Sequence, residues 1–198
     1  MSLLNPAEIP GYTAAVLRER ELRDLAFLNL PLPLCGIVVR QFTARHLILL
    51  GAMENACVTR RGVPTITDVF QFLWVVSPEY GVDPDQRGAF WKRLATKLNG
   101  TQPLPAIMKY LDDAFYDAPL GTPTPQKLFT SSVAGIVDTL ASEYGWTDDL
   151  ILEMPLARVF QYLRRIRQRT NPQAPMFNRS EKLISDWMNA RMRQTANS

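Results

Sequence analysis

Asp112, Asp113 and Asp117 are the first residues to weigh for chemistry, because aspartates on one helix face can hold magnesium and diphosphate. Asp113 and Asp117 stand four apart and share a face. The run is Asp-Asp-Ala-Phe-Tyr-Asp, with one residue more before its last carboxylate than diphosphate enzymes have. No second acidic motif lies at a suitable distance. The expectation is a solvated helix face without a metal. His46, the only histidine, would have to be the general base of any serine or cysteine hydrolase, yet no Gly-x-Ser-x-Gly elbow exists and Cys57 is eleven residues away. A place for His46 on a helix surface or interface is expected. Cys35 and Cys57 form no Cys-x-x-Cys motif, and two thiols with one histidine do not make an ordinary zinc site. They read as reduced, semi-buried thiols. Glycine-rich phosphate loops are absent, so the sequence points to no catalytic residue, metal or cofactor, and to a protein that is not an enzyme.

The other chemically rich stretch is basic. Arg158, Arg164, Arg165, Arg167 and Arg169 line the polar face of a helix running from Leu156 to about Gln168, whose inward stripe is Leu156, Val159, Phe160, Leu163 and Ile166. Such a face can grip phosphates, although the aromatic interleaving of a single-strand binder is missing. Residues 1–157 hold 13 Lys and Arg against 17 Asp and Glu, a net −4, while residues 158–198 hold 9 against 2, a net +7. The basic C-terminal part therefore wants an acidic partner: nucleic acid, a protein, or the chain's own acidic body.

The helix in front of that run is unusual. Gly145-Trp146-Thr147-Asp148-Asp149 leads into Leu150-Ile151-Leu152-Glu153-Met154-Pro155-Leu156. Thr147 is a good N-cap, and the two aspartates face the free N–H groups of the first turn. Pro155 ends that short helix near Met154 and is expected to open the next as its first residue. This stretch resembles the Gly-Trp-(Ser/Thr) … Met-(Pro/Ser)-Leu pattern of the small tail assembly chaperones of tailed bacteriophages. Val39-Arg40-Gln41-Phe42-Thr43-Ala44-Arg45-His46-Leu47-Ile48-Leu49-Leu50 is similar to an opening helix of the same proteins, with Gln41-Phe42 where Pro-Leu is usual. The resemblance implies a client, the long helical tape measure protein, with the tail tube protein as a further partner. It carries over no catalytic residue.

These segments sit among helical patterns throughout. The expected fold is all-α, an irregular bundle of about seven to eight short helices joined by Pro-rich turns, with strand confined to Ile37–Val39. Helices are expected over residues 12–28, with a self-paired, solvated charged face from Arg18 to Asp24; from Thr43 to about Asn55; and from Thr65 through the apolar run Val69–Val76, which belongs at the centre of a core. Others begin at Asp83–Asp85 and stop at Asn99-Gly100, or run from Pro103 to Tyr116, over 126–144, and from about Ser180 to Met192. Pro119 to Pro125 reads as a linker, dividing a helical core, 1–118, from a C-terminal helical part with a basic surface, 126–198, unless the two make one continuous domain. No apolar run approaches the roughly 18 residues of a membrane span, and the start of the chain lacks the features of a secretion signal. A cytoplasmic protein that does not enter membranes is expected.

Three functional readings follow: an assembly factor that keeps a helical client soluble, a structural component of a virion or tail, and a nucleic-acid-binding module using the Arg158–Arg193 surface. Trp146, Met154, Arg158, Arg164, Arg165, Arg167, Trp187 and Met188 are the partner-binding candidates. Trp146, Met154, Met176, Phe177, Trp187, Met188 and Met192 suit an adaptable groove for amphipathic helices, and the last two helices are expected to form a hairpin joined by the Pro-rich turn at 171–176.

Overall fold

Hydroxyl side chains start four of the helices. Thr43, Thr65, Ser131 and Thr147 each accept a hydrogen bond from the backbone N–H three residues on, which fixes the first turns of α2 (Ala44–Ala52), α4 (Ile66–Val75), α7 (Ser132–Tyr144) and α8 (Asp148–Glu153). The computed structural model describes residues 9–83, 85–118, 131–171 and 179–196. Those residues form ten helices and a single two-stranded sheet, so the protein is all-α with minimal strand. The remaining helices are α1 (Tyr12–Leu28), α3 (Ala56–Thr59), α5 (Gln86–Leu98), α6 (Pro103–Ala114), α9 (Leu156–Thr170) and α10 (Arg179–Ala196). No described helix is long and apolar enough to cross a membrane.

The strands β1 (Leu32–Leu34) and β2 (Ile37–Val39) pair antiparallel across the two-residue turn Cys35-Gly36. Both turn residues have positive φ, 51° and 75°, which matches the twist of a tight hairpin. The residues predict β2 alone, because Leu-Pro-Leu-Pro-Leu reads as a break. The register puts Pro33 opposite Val38, in the pair next to the turn-flanking one, where the missing N–H faces away from the partner strand.

α6 ends two residues early, at Ala114, and α10 runs on to Ala196; two further boundaries differ for local reasons. α2 stops at Ala52, before Glu54, whose φ of 53° leaves the helical region. Asn55, fully buried, then caps α3 through Cys57 N–H and donates to the Asp68 carbonyl (2.8 Å), tying α3 to the first turn of α4. At the second boundary, Pro155 is the N-cap of α9 and not its first helical residue. Pro155 itself is extended, with ψ 131°, where it bridges to Thr43, so helical angles resume only at Leu156.

α4 occupies the centre, as its apolar run demands: Phe72, Leu73, Val75 and the C-cap Val76 have no exposed surface. Phe72 stacks on Phe42 at 6.0 Å, and Tyr110 of α6 meets both rings edge-on while its hydroxyl donates to the Arg40 carbonyl (2.5 Å). Each such buried side chain contributes roughly 1.5–3 kcal/mol. The core draws on α2, α4, α5 and α6, and equally on α7 (Val133, Leu140), α8 (Ile151) and α9 (Leu156, Val159, Phe160, Ile166). One apolar core thus runs through both of the predicted parts. The 119–125 linker, residues 126–130 of the predicted helix, Met176, Phe177 and the turn beyond Asn171 lie outside the described residues.

Candidate partner-binding site

The two segments that carry the family resemblance meet in space. At the bend between α8 and α9, Leu156 N–H donates to the Phe42 carbonyl (2.8 Å), and Thr43 and Pro155 form an isolated bridge. Arg45 of α2 pairs with Asp149 (2.8 Å) and Glu153 (2.5 Å) of α8, so one guanidinium closes the short acidic helix against the N-cap turn. Beneath it, Thr43 and His46 make a reciprocal cap: His46 N–H donates to Thr43 Oγ1, and Thr43 N–H donates to His46 Nδ1 (3.2 Å). His46 is 4% exposed, not on the surface; its side chain completes the cap and lies against Phe42. Burial, with Arg40 and Arg45 nearby, lowers its pKa to about 4, so the ring is neutral. Burial, helped by Asp68, pushes the Cys57 thiol up to about 11, and burial also raises that of Cys35.

The eight candidate residues are not one surface. Met154 is 5% exposed and belongs to the core. Trp146 is half-buried, stacked on Tyr144 (4.6 Å) and edge-on to Tyr162 (4.9 Å). Arg158 lies over Phe27 (5.1 Å) and Tyr162 (5.5 Å) and donates to the Tyr162 hydroxyl, so its charge faces rings of α1 and α9. Arg164 is turned inward, 3.7 Å from the buried Asp117, and Arg169 pairs with Glu143 of α7. Of the basic run on α9, Arg165, Arg167 and the paired Arg169 are exposed, Arg165 touching Gln168 (3.4 Å). On α10, Trp187 is half-buried beneath Arg191 (4.7 Å) and Met188 is 43% exposed.

Nor do α9 and α10 fold onto each other as the expected hairpin. α10 packs on α1. Ser180 donates to Glu19 (2.8 Å), while Leu183 and Asp186 share a hollow with Ala15, so the two helices run antiparallel. Polar anchors decide this placement. Arg179 clasps Asp112 with two hydrogen bonds of 2.7 Å, which hold the carboxyl below its ordinary range, and lies 4.5 Å over the Tyr116 ring. Asp113 binds Arg18 of α1 (2.5 Å) and Lys109 (2.7 Å). Asp117 accepts two hydrogen bonds from Arg23, which also pairs with Glu19. The aspartates that the sequence suggested as a solvated face are therefore the docking posts of α1 and α10, with Asp117 only 3% exposed. The charged face of α1 is likewise not solvated throughout, since Glu19 is 3% exposed. Among the described residues, no three acidic, histidine or cysteine side chains come together as a metal site.

A cleft of about 470 Å³ that the sequence did not reveal opens between α1, β1, α6 and the start of α9. Leu22, Leu25, Leu34, Phe42, Tyr110 and Pro155 form its apolar walls, and Arg18, Glu21, Lys109 and Asp113 its rim. Gln41 lies in it, 7% exposed, with its amide nitrogen donating to the carbonyls of Leu25 (2.8 Å) and Leu30 (3.3 Å). These residues come from five separate stretches, so no local pattern could announce the cavity. No protein-family model, no curated protein and no solved structure matches this chain.

Proposed function

We propose that the chain is a non-enzymatic assembly factor of the tail assembly chaperone type, which binds a long helical partner, the tape measure protein, and keeps it soluble in the host cytoplasm until it is assembled. The observation that carries this reading is the joint between the two resembling segments. Over a hundred residues apart in sequence, they touch through Leu156 and Phe42 and through Arg45 with Asp149 and Glu153. The joint gives the two patterns one shared structural element, which supports reading them together. Exposed apolar side chains support the reading as well: Leu17 (64%), Leu28 (62%) and Leu30 (49%) on or just after α1, with Met188 (43%) on α10, offer surface suited to an amphipathic client.

The nucleic-acid reading is weakened by the inward or paired settings of Arg158, Arg164 and Arg169, which leave a short basic face on α9. A virion component with the same joint would differ by staying in the finished particle. Co-expression with a tape measure chain tests the proposal: the client should co-purify with this protein, and purified particles should lack it.

A further inference from the structure

We infer that the cleft between α1, β1, α6 and α9 is a receptor for a single aromatic side chain carrying one hydrogen-bond donor, a tryptophan or tyrosine presented by a helix of the client. The inference rests on the assembly-factor reading for the source of that side chain, and on the cleft itself for its chemistry.

Gln41 supplies the specificity. Both of its amide protons are directed at carbonyls, those of Leu25 and Leu30, and the opposite orientation of the amide would set oxygen against oxygen. The Oε1 atom is thereby fixed as an acceptor, and no donor among the described residues reaches it. Oε1 keeps some accessible surface, and Gln41 is one of the residues that line the cleft. The rim is self-neutralised: Arg18 binds Glu21 and Asp113, and Lys109 binds Asp113. A charged ligand would find no uncompensated counter-charge there. A wholly apolar one would strip water from Oε1 and leave it unpaired, at about 1–3 kcal/mol. An indole or phenol ring fits both walls and floor, with a flat apolar body against Leu22, Leu25 and Phe42 and one N–H or O–H to give. The volume of about 470 Å³ is ample for one such ring and leaves room for part of the helix that presents it.

The probes are indole and benzofuran, which share a ring shape but differ in the donor, titrated into the full chain by calorimetry and followed by NMR at the Gln41 side-chain amide. Indole should bind and move the Gln41 resonances, and benzofuran should bind about tenfold more weakly, the equivalent of one unpaired acceptor. Ala106→Phe places a ring on the cleft wall from an exposed α6 position and should abolish indole binding without lowering the melting temperature. A helical peptide of alanine, glutamate and lysine with one tryptophan should bind at least as well as indole. Absence of indole binding, equal affinity for the two probes, or full indole affinity in the Ala106→Phe protein would each overturn the site. Binding of indole but not of the peptide would assign the cleft to a free small molecule and overturn the client side chain. The probe comparison needs no variant, so a misfolded Ala106→Phe protein leaves it decisive. A chain that holds its client yet ignores indole would retain the assembly role and lose this site; a chain that binds indole and peptide but no client would do the reverse.

Discussion

Acidification should reveal His46. In the folded protein its Nδ1 accepts the Thr43 N–H, its side chain is buried, and Arg40 and Arg45 oppose a further positive charge, which together bring its pKa to about 4 from 6.5. The unfolded chain therefore takes up this proton first as pH falls. The stabilisation is complete above about pH 6.5, declines as pH drops toward 4, and does not change further below that. Each tenfold difference in proton affinity is worth about 1.4 kcal/mol, so roughly 3 kcal/mol of stability should disappear across the window. Carboxylates titrate toward its lower end, and a His46→Gln variant separates the two effects. Glutamine is an ordinary third-position partner in this kind of cap and can accept from Thr43 N–H without ever ionising. Urea unfolding of both proteins at closely spaced pH values should give curves that differ by about 1 kcal/mol or less at pH 7. They should then diverge by about 2–3 kcal/mol, in favour of the variant, by pH 4. Parallel curves from pH 7 to 4 would refute the reasoning and place His46 in a solvated or already charged setting.

The centre of the bundle and the polar dock give further tests. Leu73→Ala should destabilise the protein by about 2–5 kcal/mol in denaturant unfolding, because a fully buried leucine in α4 leaves a cavity; a loss below about 1 kcal/mol would mean that α4 is not central. Asp117→Ala should lower stability by about 3 kcal/mol, since it removes the carboxylate that Arg23 and Arg164 share, although Arg23 is partly exposed and can recover some hydration. Arg165→Glu with Arg167→Glu should leave the melting temperature unchanged, and the unmodified chain should show no retention on DNA or RNA at roughly 50 mM salt. Retention that falls steeply with salt and vanishes in the double variant would revive the nucleic-acid reading.

What was legible in the residues was chiefly local. Thr43, Thr65 and Thr147 announce helix starts, Asn99-Gly100 follows directly on the end of α5 with Gly100 at a φ of 72°, and the apolar run of α4 is buried as its composition requires. Those signals lie within one turn of the feature that they predict. Charged residues carry no such label. Glu19 and Arg23 share a face of α1 whether that face meets water or Asp117, and only the approach of α6, α9 and α10 decides which. The same holds for Arg158 and Arg164, which look like the basic side of an amphipathic helix until Phe27 of α1 and Asp117 arrive to cover them. An apolar stripe records that a helix must pack without naming its neighbour, so α10 reads as the partner of α9 although its anchors, Arg179 and Ser180, lead to Asp112 and Glu19. Of the joint between α2 and α8, both halves were visible as motifs, but not their contact. The Gln41 cleft left no trace in any single stretch.

The assembly role is tested most directly by the solubility of the client. A tape measure chain should be expressed alone, with the full protein, and with a version lacking residues 178–198, and its soluble fraction measured together with what co-elutes on size exclusion. Ser180 is the one buried residue of α10 among those described, so the shortened protein should keep a helical spectrum and a cooperative unfolding transition. The account predicts that the client is soluble and co-elutes only with the full protein, because α10 adds the exposed Met188 and the half-buried Trp187 to the surface beside α1. A client equally insoluble in all three cases, or equally soluble without this protein, would contradict the account.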